Sequence, residues 1–281
     1  MESTRRTFIT TSLAATATLA TSVRAAGPST STAGREFYEL RCYGLKADVR
    51  LKANAGRAPL DAYLEKALLP ALGKRGVKNV GVFTEIKVDK PTATSTPMPD
   101  SPVWVLIPHS SLESFVSVSA DLTSDPAVQQ AGAAYLQVEK ASPAFERIDT
   151  WLYRAFKGMP KMEVASFLKN RTPTRIFEMR DYESHSELRA LNKMAMFDDG
   201  EMQLMRELGM SPLIFGQAVA GPNLPHLRYI TCASDLATHL GNWKKFGPDP
   251  RWKAMSGDPK YKENTSKNTS RFVVPTAYSQ I

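Results

Sequence analysis

Two short segments of the chain alternate between apolar and polar positions in the same way. They are Phe37-Tyr38-Glu39-Leu40-Arg41-Cys42-Tyr43 and Ile176-Phe177-Glu178-Met179-Arg180-Asp181-Tyr182. Both read apolar-aromatic-Glu-apolar-Arg-x-Tyr, and a period of two predicts a strand with one face buried. After the first, Leu60, Leu64, Ala67, Leu68 and Leu72 recur at helical spacing. After the second, Leu188, Leu191, Ala195, Met202, Met205 and Leu208 do the same across a break at Asp198-Asp199-Gly200. Each helix ends at a glycine, Gly76 or Gly209, a residue suited to the left-handed turn of a C-cap. Strands over 80–88 and 213–219 come next. A long Pro/Ser/Thr-rich loop over 91–102 in the first copy corresponds to a short one over 220–225 in the second.

The register continues. Strands are predicted at 103–107 and 227–231. Helices then start at polar caps, Ser110 with Glu113 and Ser234 beside Asp235. Leu122 matches Phe246, Asp125-Pro126 matches Asp249-Pro250, and Val128 stands where the second copy has Trp252. Final strands fall at 145–156 and 271–278. Each copy therefore reads β-α-β-β-α-β, the ferredoxin-like order, with helices on one sheet face only. Two copies in one chain can cover each other's bare face. The predicted fold is α+β: two tandem ferredoxin-like repeats, over 36–156 and 175–281, packed sheet to sheet as a dimeric α+β barrel. A polar linker over 157–174 joins them.

The first 25 residues follow a different pattern. Arg5 and Arg6 precede a weakly apolar stretch over 8–23, which ends in the small-x-small site Val23-Arg24-Ala25. This is the layout of a secretory signal, and the paired arginines point to the twin-arginine (Tat) route. The expectation is an exported protein, periplasmic or extracellular, cleaved after Ala25. No later segment is long and apolar enough to span a bilayer. The formal charge is +8; the leader holds three arginines and one glutamate, a net +2, which leaves about +6. That excess is scattered through Lys74-Arg75, Lys244-Lys245 and Arg251-Trp252-Lys253, which excludes a nucleic-acid surface of the usual kind. Cys42 and Cys232 lie in apolar strand-like runs and are read as free thiols that behave as small hydrophobes.

The second copy resembles the NIPSNAP family. The resemblance rests on Ile176-Phe177-Glu178-Met179-Arg180, Leu191-Asn192-Lys193 with Met196-Phe197, and Gly221-Pro222-Asn223-Leu224-Pro225-His226-Leu227. It continues through Phe246-Gly247-Pro248-Asp249-Pro250-Arg251-Trp252 and Pro275-Thr276-Ala277-Tyr278-Ser279-Gln280-Ile281. It implies a dimeric α+β barrel, related in architecture to small monooxygenases and haem-binding barrels. It implies no particular reaction, because fold alone does not specify one.

Catalytic motifs are missing from the sequence. His109, His185, His226 and His239 lack the short spacings of zinc ligands, and there is no nucleophile elbow, phosphate loop or dinucleotide fingerprint. His239 and His185, read as exposed helical histidines, are the candidates for a haem ligand. Asp198 with Glu201, and Ser184 with Glu187, have capping-box spacing. Glu39 with Arg41 and Glu178 with Arg180 share a sheet face and suggest cross-strand ion pairs, with a ligand clamp as the lesser alternative. Asn192, Lys193, His239, Trp243 and Trp252 are the candidates to line an apolar pocket.

The expected function is a non-catalytic binding or interaction protein without a cofactor. Its partner would be a small apolar ligand or another protein, not nucleic acid, and a homo-oligomer is compatible with the fold. The alternative is a barrel-pocket enzyme or haem binder, resembling a cofactor-independent monooxygenase.

Overall fold

The computed structural model describes residues 34–45, 47–48, 53–54 and 57–281. The leader with Arg5, Arg6 and Ala25 lies outside the described residues. Eight long strands form the frame: β1 (Phe37–Leu45), β2 (Gly81–Asp89), β3 (Val103–His109), β4 (Phe145–Ala155), β5 (Ile176–Glu183), β6 (Ser211–Ala220), β7 (His226–Ala233) and β8 (Lys267–Pro275). Their antiparallel order around the sheet is β8-β5-β7-β6-β4-β1-β3-β2, and β2 pairs with β8 to close it into a barrel. The halves thus join edge to edge, through β4 with β6 and β2 with β8. No long edge strand is left bare, which removes the open edges that each half alone would expose.

Alternation assigns the two faces. On β1, Tyr38 and Leu40 point into the barrel, as do Phe177 and Met179 on β5. The interior is filled by side chains, including the edge-to-face pair Phe83–Phe177 and the stacked pair Trp104–Trp151. Eight strands give an interior just wide enough for such filling. Near the end of β1 that carries Cys42, the interior turns polar. Arg228 forks onto Asp181, with Nη2 2.8 Å from Oδ2, and Arg271 Nη1 reaches the same oxygen at 2.8 Å. Arg228 is buried beneath the rings of Trp151, Trp104 and Tyr153, at 4.9 to 5.5 Å. Burial raises the Asp181 carboxyl, but the Arg228 and Arg271 charges override this and hold it at about 2.

Helices cover the outer face. In the first half, α1 (Arg57–Tyr63), a π turn (Leu64–Leu68), α2 (Leu69–Lys74), α3 (Leu112–Ser124), α4 (Pro126–Ala131) and α5 (Ala133–Leu136) form one layer with the sheet. In the second half, α7 (Glu187–Met196), a π turn (Phe197–Glu201), α8 (Met202–Glu207), α9 (Leu236–Phe246) and α10 (Pro250–Gly257) form another. The predicted stops at Gly76 and Gly209 are seen, at φ 81° and 88°.

Several expectations are corrected. The loop over 91–102 contains a short strand, Thr94–Pro97, that folds back on β2. The cap of α3 is Ser111, not Ser110, because Ser111 Oγ accepts from Ser114 N. Ser186 caps α7, whereas Ser184 bonds Asn264 O. Asp198 caps no helix: it accepts from Gly158 N, and the chain kinks at Gly200 instead of restarting. The stretch over 157–174 is more than a polar linker. It carries α6 (Ser166–Lys169), and Leu168 is fully buried in the barrel core with Met162, Val164 and Phe167 against it. Cys42 and Cys232 are free, and burial raises both thiols to about 12.

Candidate functional site

The repeated Glu-x-Arg-x-Tyr strand places three polar side chains on the outer sheet face of each half, under the helices. In the first half, Arg41 binds Glu39 along the same strand, and His109 Nε2 donates to Glu39 Oε2 at 3.0 Å. His109 Nδ1 meets Ser114 Oγ at 3.1 Å, so both ring nitrogens are engaged. Burial raises the Glu39 carboxyl, but the His109 hydrogen bond and the Arg41 charge bring it below its ordinary value. In the second half, Glu178 accepts from Arg180 Nη1 at 2.9 Å, His239 at 2.8 Å, Trp243 Nε1 at 2.7 Å and Ser270 Oγ at 2.5 Å. Burial raises Glu178 too, yet His239 and Arg180 hold it at about 2. The expected cross-strand ion pairs are therefore pairs along one strand: residues two apart on a strand project to the same side.

What lies over these strands differs. In the first half a cavity of about 250 Å³ remains, lined by Glu39, Arg41, Tyr43, Tyr63, Phe115 and Leu122, with Thr123 and Ile148 also on its wall. Tyr63 stacks on Tyr135 at 4.6 Å, and burial pushes its hydroxyl up to about 12. In the second half the corresponding space holds side chains. Lys193 is buried, donates to Glu201 Oε2 at 2.7 Å, and sits 4.5 Å from the Phe197 ring and 5.6 Å from that of Trp252. Burial pushes Glu201 above its ordinary value, against the opposing charge of Lys193. The Arg180 guanidinium lies 4.7 Å from the Trp243 ring.

The five sequence candidates separate accordingly. Lys193, His239, Trp243 and Trp252 gather in one region of the second half, but as a packed ionic and aromatic cluster. His239, expected to be exposed, is 3% exposed, because the Glu178 beneath α9 draws it inward. Asn192 faces away and binds Lys260 O and Asn264 Oδ1. The residues around the first-half cavity are not among the five pocket candidates; of them, Glu39 and Arg41 enter the sequence reading as an ion pair or, secondarily, a ligand clamp. Among the described residues, no group of three or more His, Cys, Asp or Glu could hold a metal ion, and no helix is long and apolar enough to cross a membrane.

Residues 177–280 match the NIPSNAP family model. No curated protein matches the sequence. In fold, the chain is similar to a candidate monooxygenase from Fusobacterium nucleatum, at 8% identity and a TM-score of 0.51, covering 86% of this chain and 93% of that one. It is also similar to an uncharacterized NIPSNAP-like domain protein from Burkholderia xenovorans, at 14% identity and a TM-score of 0.35, covering 38% and 89%. A heme-binding protein from Thermus thermophilus aligns at 10% identity and a TM-score of 0.41, covering 87% and 92%. At such identities the first likeness concerns the fold alone. The α+β barrel and the NIPSNAP domain are thus the common ground.

Proposed function

We propose that this chain is an exported small-molecule binding protein whose ligand occupies the cavity of the first half. In this reading the two halves are tandem ferredoxin-like repeats with divided roles: the NIPSNAP domain is the packed scaffold, and the diverged first copy is the binding unit. The observation that carries the reading is the open space over Glu39, Arg41 and Tyr43, set against the filled space over Glu178, Arg180 and Tyr182. The cavity joins a polar floor to aromatic and aliphatic walls, the usual composition of a small-ligand site. A planar or aromatic ligand with one hydrogen-bonding end fits that division.

The alternative of a haem site finds no support in the donors. His109 and His226 are buried with both nitrogens engaged, and His239 gives Nε2 to Glu178. Only His185 is exposed, and it lines neither the cavity nor the barrel.

The test is native mass spectrometry of protein exported by its own leader and purified under mild conditions. We expect a bound small molecule that is lost in the Thr123→Trp variant, where a bulky ring at the rim closes the cavity. A clean apo mass, with no thermal shift from any planar aromatic in a ligand panel, overturns the proposal. Export itself is checked by Arg5→Lys with Arg6→Lys, which should trap the precursor in the cytoplasm.

A further inference from the structure

A second concavity lies where α7 overhangs the seam between β4 and β6. Two adjoining cavities of about 250 and 240 Å³ share Leu191, Met194 and Gln217. One end is cationic, with Arg35, Arg154 and Lys157 against the single carboxylate of Asp198. The other end is mostly apolar, bounded by Ala190, Ala218, Leu224 and Pro225, with Glu187 and His226 also lining it. Leu191 and Leu224 remain about half exposed, and Leu188, one turn before Leu191, is 75% exposed. An apolar strip of this kind on a soluble surface calls for an occupant.

The cationic end indicates what that occupant is. Arg154 Nε is sealed from solvent and has no hydrogen-bond partner among the described residues, although a buried donor normally finds one. Arg35 spends Nε and Nη2 on Ala155 O. Burial and the neighbouring Arg154 charge both lower Arg35, which is the mark of cations crowded together with too few anions. Arg154 and Lys157 line the cavity beside Arg35, so an anionic head group entering it meets their positive charge. Asp198 Oδ1 is taken by Gly158 N, so it answers only part of that charge.

We infer that this seam groove binds a single-chain amphipathic anion, a long-chain fatty acid. Its carboxylate is held between Arg154, Arg35 and Lys157, and its chain runs along Leu191, Met194 and Leu224. The site is separate from the first-half cavity and does not depend on a ligand there.

The probe is oleate, with oleyl alcohol as the uncharged analogue, titrated into the purified protein by calorimetry and followed by native mass spectrometry. Charge-assisted hydrogen bonds dominate the difference between the two. One oleate should bind at least tenfold more tightly than oleyl alcohol. Lys157→Glu and Leu191→Gln both alter exposed or half-exposed side chains, so folding survives, as circular dichroism will show. Each should weaken oleate at least tenfold, while Thr123→Trp leaves it unchanged. Equal affinity for the acid and the alcohol, no binding of either, or wild-type affinity in both groove variants overturns the inference. Capture by anionic vesicles without binding of free oleate also overturns it, and assigns the strip to a membrane surface instead.

Discussion

The two halves carry the same outward strand motif, yet one keeps a cavity over it and the other is packed shut. Over Glu39, Arg41 and Tyr43 the helices bring aliphatic and tyrosine side chains that stop short of the polar floor. Over Glu178, Arg180 and Tyr182 they bring Trp243, Phe197, Trp252 and the buried Lys193–Glu201 pair. Glu178 accordingly accepts four side-chain hydrogen bonds, while Glu39 accepts from Arg41 and His109. The same strand motif can thus be packed under side chains in one half and border a cavity in the other.

The contrast can be broken most directly at the two glutamates. Glu178→Ala strands His239, the Trp243 N–H and Arg180 under α9. It should cost about 3–5 kcal/mol in urea unfolding, as expected when a buried ionic group loses its partner. Glu39→Ala should cost about 1–3 kcal/mol, since fewer donors are orphaned. Equal losses would show that both copies use the motif in the same way.

The Lys193–Glu201 pair sharpens the point. Lys193→Met alone leaves a buried carboxylate and should cost about 3 kcal/mol or more, whereas Lys193→Met with Glu201→Leu should be neutral or stabilising by about 1–4 kcal/mol. A double variant as unstable as the single one would mean that the charges have work beyond packing.

Acid titration separates the halves by a smaller margin. Glu178 is held at about 2 in the folded chain, below its ordinary 4.5. Its contribution is therefore fully present above about pH 4.5 and is lost as the pH falls through about 2. That amounts to roughly 3 kcal/mol on the scale of 1.36 kcal/mol per pH unit. Glu178→Gln should flatten the acid limb of the Tm profile more than Glu39→Gln does. The smallest effect on stability belongs to Thr123→Trp at the cavity rim. It should stay within about 0.5 kcal/mol of wild type, as surface changes usually do, and still abolish ligand retention.

Much of the fold was legible because local patterns carried it. The alternation on β1 and β5, the apolar spacing of the first half's leading helix, and the stops at Gly76 and Gly209 depend on neighbours in sequence; in α7 the expected stripe is shifted, because Leu188 and Leu191 are 75% and 50% exposed while Ala190, Lys193 and Met194 are buried. The caps show where that reading ends. Ser110 and Ser111 are equally good on paper, and only the observed turn places Ser111 Oγ against Ser114 N. The barrel's charged interior was missed for a clearer reason. Asp181 and Arg228 occupy inward positions otherwise taken by Phe177, Met179, Ile230 and Cys232. A charge on an apolar face was the available signal, but its partner lies 47 residues away.

The sequence by itself determined the strand period and the outward Glu-x-Arg-x-Tyr motif of β1 and β5, because these are one-dimensional regularities of side-chain chemistry. Only the tertiary structure decided that the halves close edge to edge, that the 157–174 stretch packs Leu168 into the barrel core, and that the space over β1 stays open while that over β5 is filled. Those outcomes depend on which distant side chains meet and how completely their volumes fill the space between sheet and helix.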